Sequence, residues 1–275
     1  MMRRHSLGLL LGAIVIGLVG EVAALAQVRD RYTPAQGHLV AIGGGPIGPE
    51  IWHHLSQLAG GWQAPVVFIP TAAEGEPGER ASDFLRRAGF TNVVTLHTRD
   101  RAEADREAFV APLLGARLVF FGGGRQWRLV DSYAGTRTEK ALAAVLSSGG
   151  VLAGTSAGAT ILGSYLVRGA REGNTIMMAP GYETGFGFLK NIAIDQHLLK
   201  RGRENDLWEV IDRKPELLGI GIDEGTAVHF AADRFRVYGA SLVAVYDAQY
   251  SQSKPRHFFL APGAAYDLLT RRIID

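Results

Sequence analysis

The sequence predicts an α/β protein: a doubly wound, mostly parallel sheet with helices on both faces and antiparallel strands at one edge. Three observations carry this. Short apolar runs alternate with amphipathic stretches between residues 39 and 153, glycine clusters follow several of those runs, and beyond residue 215 closely spaced apolar runs replace the alternation. A strand covered on both faces reads as an unbroken apolar run, and parallel strands need crossovers long enough to hold a helix.

The first run, residues 39–42, ends in Gly43-Gly44-Gly45, as a buried strand feeding a tight turn does. Ile51, Leu55 and Leu58, with Trp52 and Ala59, recur at spacings of three and four and predict a helix. Residues 66–69 are a second strand closed by Pro70, and residues 78–88 a helix with Phe84, Leu85 and Ala88 inward. Residues 93–96 are a third strand, 103–114 a helix and 118–121 a fourth strand. Residues 137–147 form a helix burying Ala141, Leu142, Val145 and Leu146, and residues 150–153 a fifth strand, with a further helix opened by residues 159–162. Consecutive βα units of this kind require right-handed crossovers and helices on both faces. Residues 218–222, 227–230, 235–238 and 242–246 read as the antiparallel edge strands. No repeat and no Pro- or Ser-rich linker divides the chain, which predicts one domain over residues 27–275.

Residues 1–26 have a different character. Arg3, Arg4 and His5 precede an apolar run over residues 7–19, and Ala24-Leu25-Ala26 places small residues where a signal peptidase reads. The run is interrupted by Gly8, Gly12 and Gly17 and is shorter than the roughly 20 residues a membrane span needs. The expectation is a signal peptide cleaved after Ala26 and an exported, periplasmic or extracellular protein without a stable membrane anchor.

Composition narrows the chemistry. The 275 residues are 47% hydrophobic, enough for a sizeable core, and 29 Lys+Arg against 27 Asp+Glu leave a formal net charge of +2. No general attraction to nucleic acid or an anionic membrane follows, so any charged ligand has to be held by particular residues. With no cysteine, disulfides, Cys-ligated metals and thiol nucleophiles are all excluded. The 35 glycines exceed ordinary usage of about 7%, and their clusters fall at strand ends, where ligands bind in open α/β sheets.

Gly154-Thr155-Ser156-Ala157-Gly158 matches G-x-S-x-G between a strand and a helix. Ser156 would sit on a strained turn with its hydroxyl raised above the sheet, and the Ala157 N–H would favour negative charge on a substrate oxygen. A serine needs a base. Of the eight histidines, His5 lies in the signal, His38 precedes the first strand, His53 and His54 read as surface residues, His229 lies within a strand and His257 in a late loop. His97 and His197 both follow strands, and Asp195-Gln196-His197, after the apolar run 192–194, is the stronger candidate. For the orienting carboxylate, Asp223 and Glu224 both follow an apolar strand, and spacing does not choose between them.

The 154–159 run Gly-Thr-Ser-Ala-Gly-Ala, the 122–126 run Gly-Gly-Gly-Arg-Gln, Asp195-Gln196-His197 and Gly221-Ile222-Asp223-Glu224 stand in the order found in the cyanophycinase family. The chain resembles these serine peptidases of family S51, relatives of aspartyl dipeptidase with a class I glutamine amidotransferase-like fold, from about residue 40 to 246. The resemblance implies Ser156 as nucleophile, His197 as base and Glu224 as the third member. It places Gln126, Asp195, Gln196, Arg201 and Arg203 around a β-aspartyl-arginine unit of a storage polymer. The acyl-transfer mechanism that follows has an oxyanion held by Ala157 and Gly124 and needs no metal or organic cofactor. Such proteins are commonly homodimers. Arg201 and Arg203 suit substrate carboxylates, which arginine binds bidentately. Two positions depart from the family: Arg125 where Asp or Asn usually precedes the glutamine, and Asp206 where a further arginine is common. The reversed charge at Asp206 either moves specificity away from the standard polymer or offers a partner to a substrate guanidinium.

Other classes compete. Gly43-Gly44-Gly45-Pro46-Ile47-Gly48 fits G-x-G-x-x-G, the mark of a dinucleotide-binding oxidoreductase, but Phe68-Ile69-Pro70-Thr71 offers no acid to a ribose. A noncatalytic binding protein would not need nucleophile, base and acid together. An aspartyl or isoaspartyl dipeptidase remains the nearest alternative.

Overall fold

The computed structural model describes residues 32–274; the expected signal segment lies outside them. In chain order the strands are β1 (His38–Ile42), β2 (Val66–Ile69), β3 (Val93–Thr95), β4 (Leu118–Phe121), β5 (Val151–Thr155), β6 (Gly163–Tyr165), β7 (Leu189–Gln196), β8 (Leu218–Ile222), β9 (Thr226–Ala231), β10 (Arg234–Gly239), β11 (Val243–Asp247), β12 (His257–Leu260), β13 (Ala265–Asp267) and β14 (Arg272–Ile274). The helices are α1 (Pro49–Ala59), α2 (Asp83–Ala88), α3 (Arg101–Ala104), α4 (Glu107–Val110), α5 (Gln126–Tyr133), α6 (Arg137–Ser147), α7 (Ala157–Thr160) and α8 (Trp208–Ile211).

The strands form two sheets. The larger has nine strands in the order β14-β13-β10-β9-β1-β5-β4-β2-β3. The strands from β1 to β3 in that order run parallel, and β9, β10, β13 and β14 extend the sheet antiparallel from the β1 side. The smaller sheet has five strands in the order β12-β11-β8-β7-β6. Two of the four late strands expected at one edge, β8 and β11, therefore belong to this second sheet. Their apolar runs record burial on both faces but carry no information about which strand they pair with.

Alternation along the parallel strands explains the layers. Val40, Ile42, Phe68, Phe120 and Ala153 point to the side covered by Ile51 and Leu55 of α1. Leu39, Ala41, Ile69, Phe121 and Leu152 point the other way, against Leu129 of α5, Leu142 and Val145 of α6, and Ile194, Ile220 and Val245 of the second sheet. The far face of that sheet, Ala193, Ala244 and Tyr246, packs on Leu207, Trp208 and Ile211. Each of these large side chains contributes about 1.5–3 kcal/mol by leaving water, and truncating a fully buried one such as Phe121 to Ala costs about 3–5 kcal/mol.

Local chemistry sets the helix ends. Pro49 opens α1, whose C-cap Gly60 is left-handed, and the Thr136 side chain accepts from the Thr138 N–H to start α6. The helix expected over 78–88 begins only at Asp83 after a run of turns. The one expected over 103–114 breaks into α3, α4 and a 3-10 turn holding Pro112, whose ring cannot donate to a continuing helix. The helix after the serine motif is a single turn, α7, and α5 has no counterpart in the sequence reading. His54, expected at the surface, is half-buried and stacks on Tyr238 with ring centroids 4.0 Å apart.

Candidate active site

Ser156 follows β5 at φ 55 and ψ −118, a left-handed backbone that a non-glycine residue adopts only when its surroundings hold it there. Its N–H donates to the Ile42 carbonyl at the end of β1, 2.9 Å away. The flanking glycines make the turn possible, because a Cβ on Gly154 would lie 2.0 Å from the Gly158 carbonyl oxygen.

His197 comes from the other sheet. It follows β7 at φ 55, and its N–H donates to the Gly43 carbonyl at 2.8 Å. Its Nε2 lies 2.9 Å from Ser156 Oγ and its Nδ1 lies 2.6 Å from Glu224 Oε1. Glu224 follows β8, so the larger sheet presents the hydroxyl while the smaller presents imidazole and carboxylate. Asp223 is otherwise engaged: its Oδ1 accepts the Lys200 N–H at 2.9 Å and its Oδ2 the Ser241 hydroxyl at 2.7 Å.

The Gly43-Gly44-Gly45 turn is shaped by this pair. A Cβ on Gly44 would fall 2.2 Å from His197 Cε1, and one on Gly45 would fall 2.6 Å from Glu224 Oε2. These glycines admit an imidazole and a carboxylate, and a Cβ on Gly43 would lie 2.1 Å from the Asp223 carbonyl oxygen, so the three-glycine run is shaped by the protein's own groups, whereas a Cβ on Gly48 would meet nothing within 4 Å.

Burial holds the His197 pKa below its ordinary value; the hydrogen bond to Glu224 opposes this, while the positive charges of Arg201 and Arg203 reinforce it. The imidazole is neutral at neutral pH. Donation from Nδ1–H to the carboxylate leaves the Nε2 lone pair facing Ser156 Oγ. Beside the serine runs the 122–124 loop, with Gly123 close enough that a Cβ would lie 3.4 Å from Ser156 Cβ. Among the described residues neither the Ala157 nor the Gly124 N–H has a hydrogen-bond partner.

The residues expected to surround a substrate divide into two groups. Arg201 and Arg203 line a cavity of about 500 Å³ with Arg168, Thr175, Met177 and Asp206. Gln126, Asp195 and Gln196 are buried and lie outside that lining, and Arg203, although it reaches the cavity, is itself only 6% exposed. Gln126 Nε2 donates to the Val167 carbonyl at 2.7 Å, and Gln196 Oε1 accepts from Arg203 Nη1 at 3.2 Å. Asp195 is fully buried, its carboxylate gripped by Arg168 Nε at 2.7 Å and Nη2 at 2.8 Å and accepting the Gln196 N–H at 2.9 Å. That carboxylate is committed to the protein. Asp206 also has a protein partner, since its Oδ2 accepts from Arg168 Nη2 at 2.7 Å. Arg125 donates to the Ala170 carbonyl and so ties the 122–124 loop to the segment bearing Arg168.

Arg168 is the residue that sequence reasoning missed. A single arginine closing the apolar stretch Tyr165-Leu166-Val167 was the available signal. Among the described residues no cluster of three or more His, Asp or Glu side chains is arranged to hold a metal ion, and no helix is long and apolar enough to cross a membrane.

The model of peptidase family S51 matches residues 39–238. A cyanophycinase of Synechococcus elongatus is 32% identical over 237 residues, spanning 82% of this chain and 73% of the relative. One from Geminocystis herdmanii is 31% identical over 208 residues, spanning 74% of this chain and 76% of the relative. Among solved structures, a peptidase from an acI-B1 Actinobacterium superposes with a TM-score of 0.64 at 24% identity, covering 84% of this chain and 97% of that one. A putative peptidase E protein from Listeria monocytogenes gives 0.53 at 15% identity, covering 75% and 100%. Both structures share the fold.

Proposed function

The chain belongs to peptidase family S51 and is a serine-type peptidase, and from that premise we propose that it hydrolyses cyanophycin or related β-aspartyl peptides through an acyl-enzyme on Ser156. The observation that carries the reading is the continuous hydrogen-bonded array from Ser156 Oγ through His197 to Glu224.

In this mechanism His197 Nε2 takes the Ser156 proton as Oγ attacks the scissile carbonyl carbon. The oxyanion accepts hydrogen bonds from the unpartnered Ala157 and Gly124 N–H groups, which need no reorganisation to receive it. The protonated Nε2 then gives its proton to the leaving amine. Water attacks the acyl-enzyme by the reverse path, with Nε2 as base, and releases the acid and free Ser156. Glu224 holds Nδ1–H throughout and stabilises the transient imidazolium. Arg201 and Arg203, in the adjoining cavity, match the free carboxylates of a β-aspartyl unit.

Export belongs to the same proposal. With residues 1–26 removed as a signal, the enzyme would meet polymer released by lysed neighbours, and the mature protein would begin at Gln27. Sequencing the N-terminus of the protein from its native host checks this, and a product confined to the cytoplasm and beginning at Met1 would refute it.

The substrate test is incubation of purified protein with cyanophycin and with short β-aspartyl and α-aspartyl peptides, with products identified by mass. Polymer cleavage is the expected result. Cleavage of the short peptides alone would move the assignment to an aspartyl or isoaspartyl dipeptidase. No cleavage of any of them would overturn it.

A further inference from the structure

We propose that Arg168 is a positioning residue for the reaction at Ser156, acting on His197 through Asp195 and on the substrate cavity through Asp206. The inference rests on the reading of Ser156 as nucleophile.

Arg168 is 1% exposed and stands at φ 58, so it carries both a buried charge and the strain of a left-handed backbone. Each of its three nitrogens donates to the protein. Nε and Nη2 form a fork on the two oxygens of Asp195, Nη2 also reaches Asp206 Oδ2 at 2.7 Å, and Nη1 donates to the Asn174 carbonyl at 2.7 Å. One guanidinium thus joins the irregular segment after β6, the end of β7 and the turn before α8. A planar fork satisfies this geometry, whereas an ammonium cannot grip Asp195 bidentately.

The Asp195 branch leads to the base. Asp195 lies two residues before His197 and fixes the intervening Gln196 N–H with Oδ1. From the other side, Arg203 Nη1 donates to the Gln196 carbonyl at 3.0 Å. The chain entering the left-handed turn at His197 is therefore held between two guanidinium groups, and the turn aims the imidazole at Ser156. Buried ion pairs are roughly neutral for stability when compared with apolar replacements. The value of this one lies in position.

The Asp206 branch leads to the cavity. Asp206 keeps its side chain 39% exposed while pairing with Arg168, so a carboxylate stands in the same wall as Arg201 and Arg203. Arg168 fixes where that negative charge sits.

The experiment compares Arg168→Lys and Asp206→Asn with the unaltered enzyme by two readouts: steady-state hydrolysis of β-aspartyl-arginine dipeptide, and the rate at which a small fluorophosphonate labels Ser156. Labelling depends on the base but not on cavity contacts. Arg168→Lys is expected to remain folded by circular dichroism, to lower kcat and the labelling rate at least ~10-fold, and to move the acid limb of the kcat/KM profile, as small misplacements of reacting groups do. Asp206→Asn is expected to raise KM while slowing labelling less than about twofold. Folded Arg168→Lys with unaltered kcat and labelling overturns the proposal, as does an Asp206→Asn variant that slows labelling as much as Arg168→Lys does. If Arg168→Lys does not fold, Asp195→Asn carries the same branch, and undiminished labelling in that variant overturns it. Unaltered enzyme that labels but does not cleave the dipeptide refutes the substrate reading alone; enzyme that does not label refutes Ser156 as nucleophile and this inference with it.

Discussion

His197 Nδ1 stands 2.6 Å from Glu224 Oε1, and the two residues occupy the ends of neighbouring parallel strands, β7 and β8, in the smaller sheet. Ser156 faces them from the end of β5 in the larger sheet, and the Gly43-Gly44-Gly45 turn lies between. The reactive array spans a junction of two sheets, so its geometry depends on how they pack as well as on each turn.

Ser156→Ala should lower hydrolysis on the order of 10⁶-fold, since the base then has no hydroxyl to activate. Alanine fills the same backbone position without the reactive oxygen, and the Ser156 N–H bond to Ile42 does not involve the side chain. Circular dichroism and thermal unfolding should match the parent protein. Turnover within tenfold of the parent would remove Ser156 from the mechanism.

Glu224→Gln should lower kcat by about 10⁴, because an amide neither fixes the Nδ1–H tautomer nor stabilises the imidazolium. Asp223→Asn tests the neighbouring acid, whose partners are the Lys200 N–H and the Ser241 hydroxyl. Its expected effect is a loss of about 1–3 kcal/mol in unfolding free energy with kcat changed far less. Equal kcat losses in the two variants would contradict the division of roles.

How far these assignments were legible in the sequence varies with the kind of interaction. Residues 66–69, 118–121 and 137–147 form elements with the expected bounds because continuous burial or an amphipathic stripe is local information. Ser156 was legible for the same reason, its glycines being dictated by one turn. The choice of Glu224 over Asp223 did not follow from spacing, because both acids follow β8 directly and only the fold turns Glu224 to His197 and Asp223 to the Lys200 N–H and the Ser241 hydroxyl. Assignment of β8 and β11 to a second sheet was hidden too, since an apolar run does not name its pairing partner. Arg168 sits in an irregular stretch between β6 and β7 with no periodicity to place it, and only the fold brings Asp195 and Asp206 to it.

The pH dependence of catalysis follows from His197. The base works only when neutral, so activity is lost as pH falls through its pKa. Burial holds that pKa below the ordinary 6.5, and the acid limb of kcat/KM should accordingly have its midpoint under pH 6.5. The Arg201 charge pushes in the same direction. Arg201→Gln should therefore move the midpoint upward. A downward movement would contradict the electrostatic account.

Acid stability should depend on His229, away from Ser156. Its Nε2 lies 3.0 Å from His38 Nδ1 and its Nδ1 lies 3.1 Å from His54 Nε2, with Tyr238 against His54 and Arg117 acting on His38. Burial, with the neighbouring His54 and His38, lowers its pKa to about 3. Above pH 6.5 the imidazole is neutral whether the chain is folded or not. Between 6.5 and about 3 only the unfolded chain takes up the proton, so stability falls with pH by up to ~1.4 kcal/mol per unit. Urea unfolding at pH 7, 5 and 4 should show a shallower decline for His229→Gln than for the parent, and parallel declines would refute the linkage.

Gly44→Ala offers the most direct test of the sheet junction. Gly44 has φ 110, which alanine resists, and its added methyl would lie 2.2 Å from His197 Cε1 and 2.7 Å from both ring nitrogens. No rotation of a flexible tip relieves such an approach: either the imidazole swings away from Ser156 Oγ or the turn moves. A turn that moves takes with it the Gly43 carbonyl that accepts the His197 N–H and the Gly44 carbonyl that accepts the Gly225 N–H. Both routes disturb the same array, so kcat should fall at least ~10²-fold even in protein that remains folded. Gly48→Ala is the control, because a Cβ at Gly48 meets nothing within 4 Å and its φ of −69 suits alanine. Gly48 is the last glycine of the G-x-G-x-x-G spacing, so a nucleotide site would show it sensitive in nucleotide binding; a site shaped around His197 shows Gly44, an intervening position of that spacing, sensitive in hydrolysis and Gly48 tolerant.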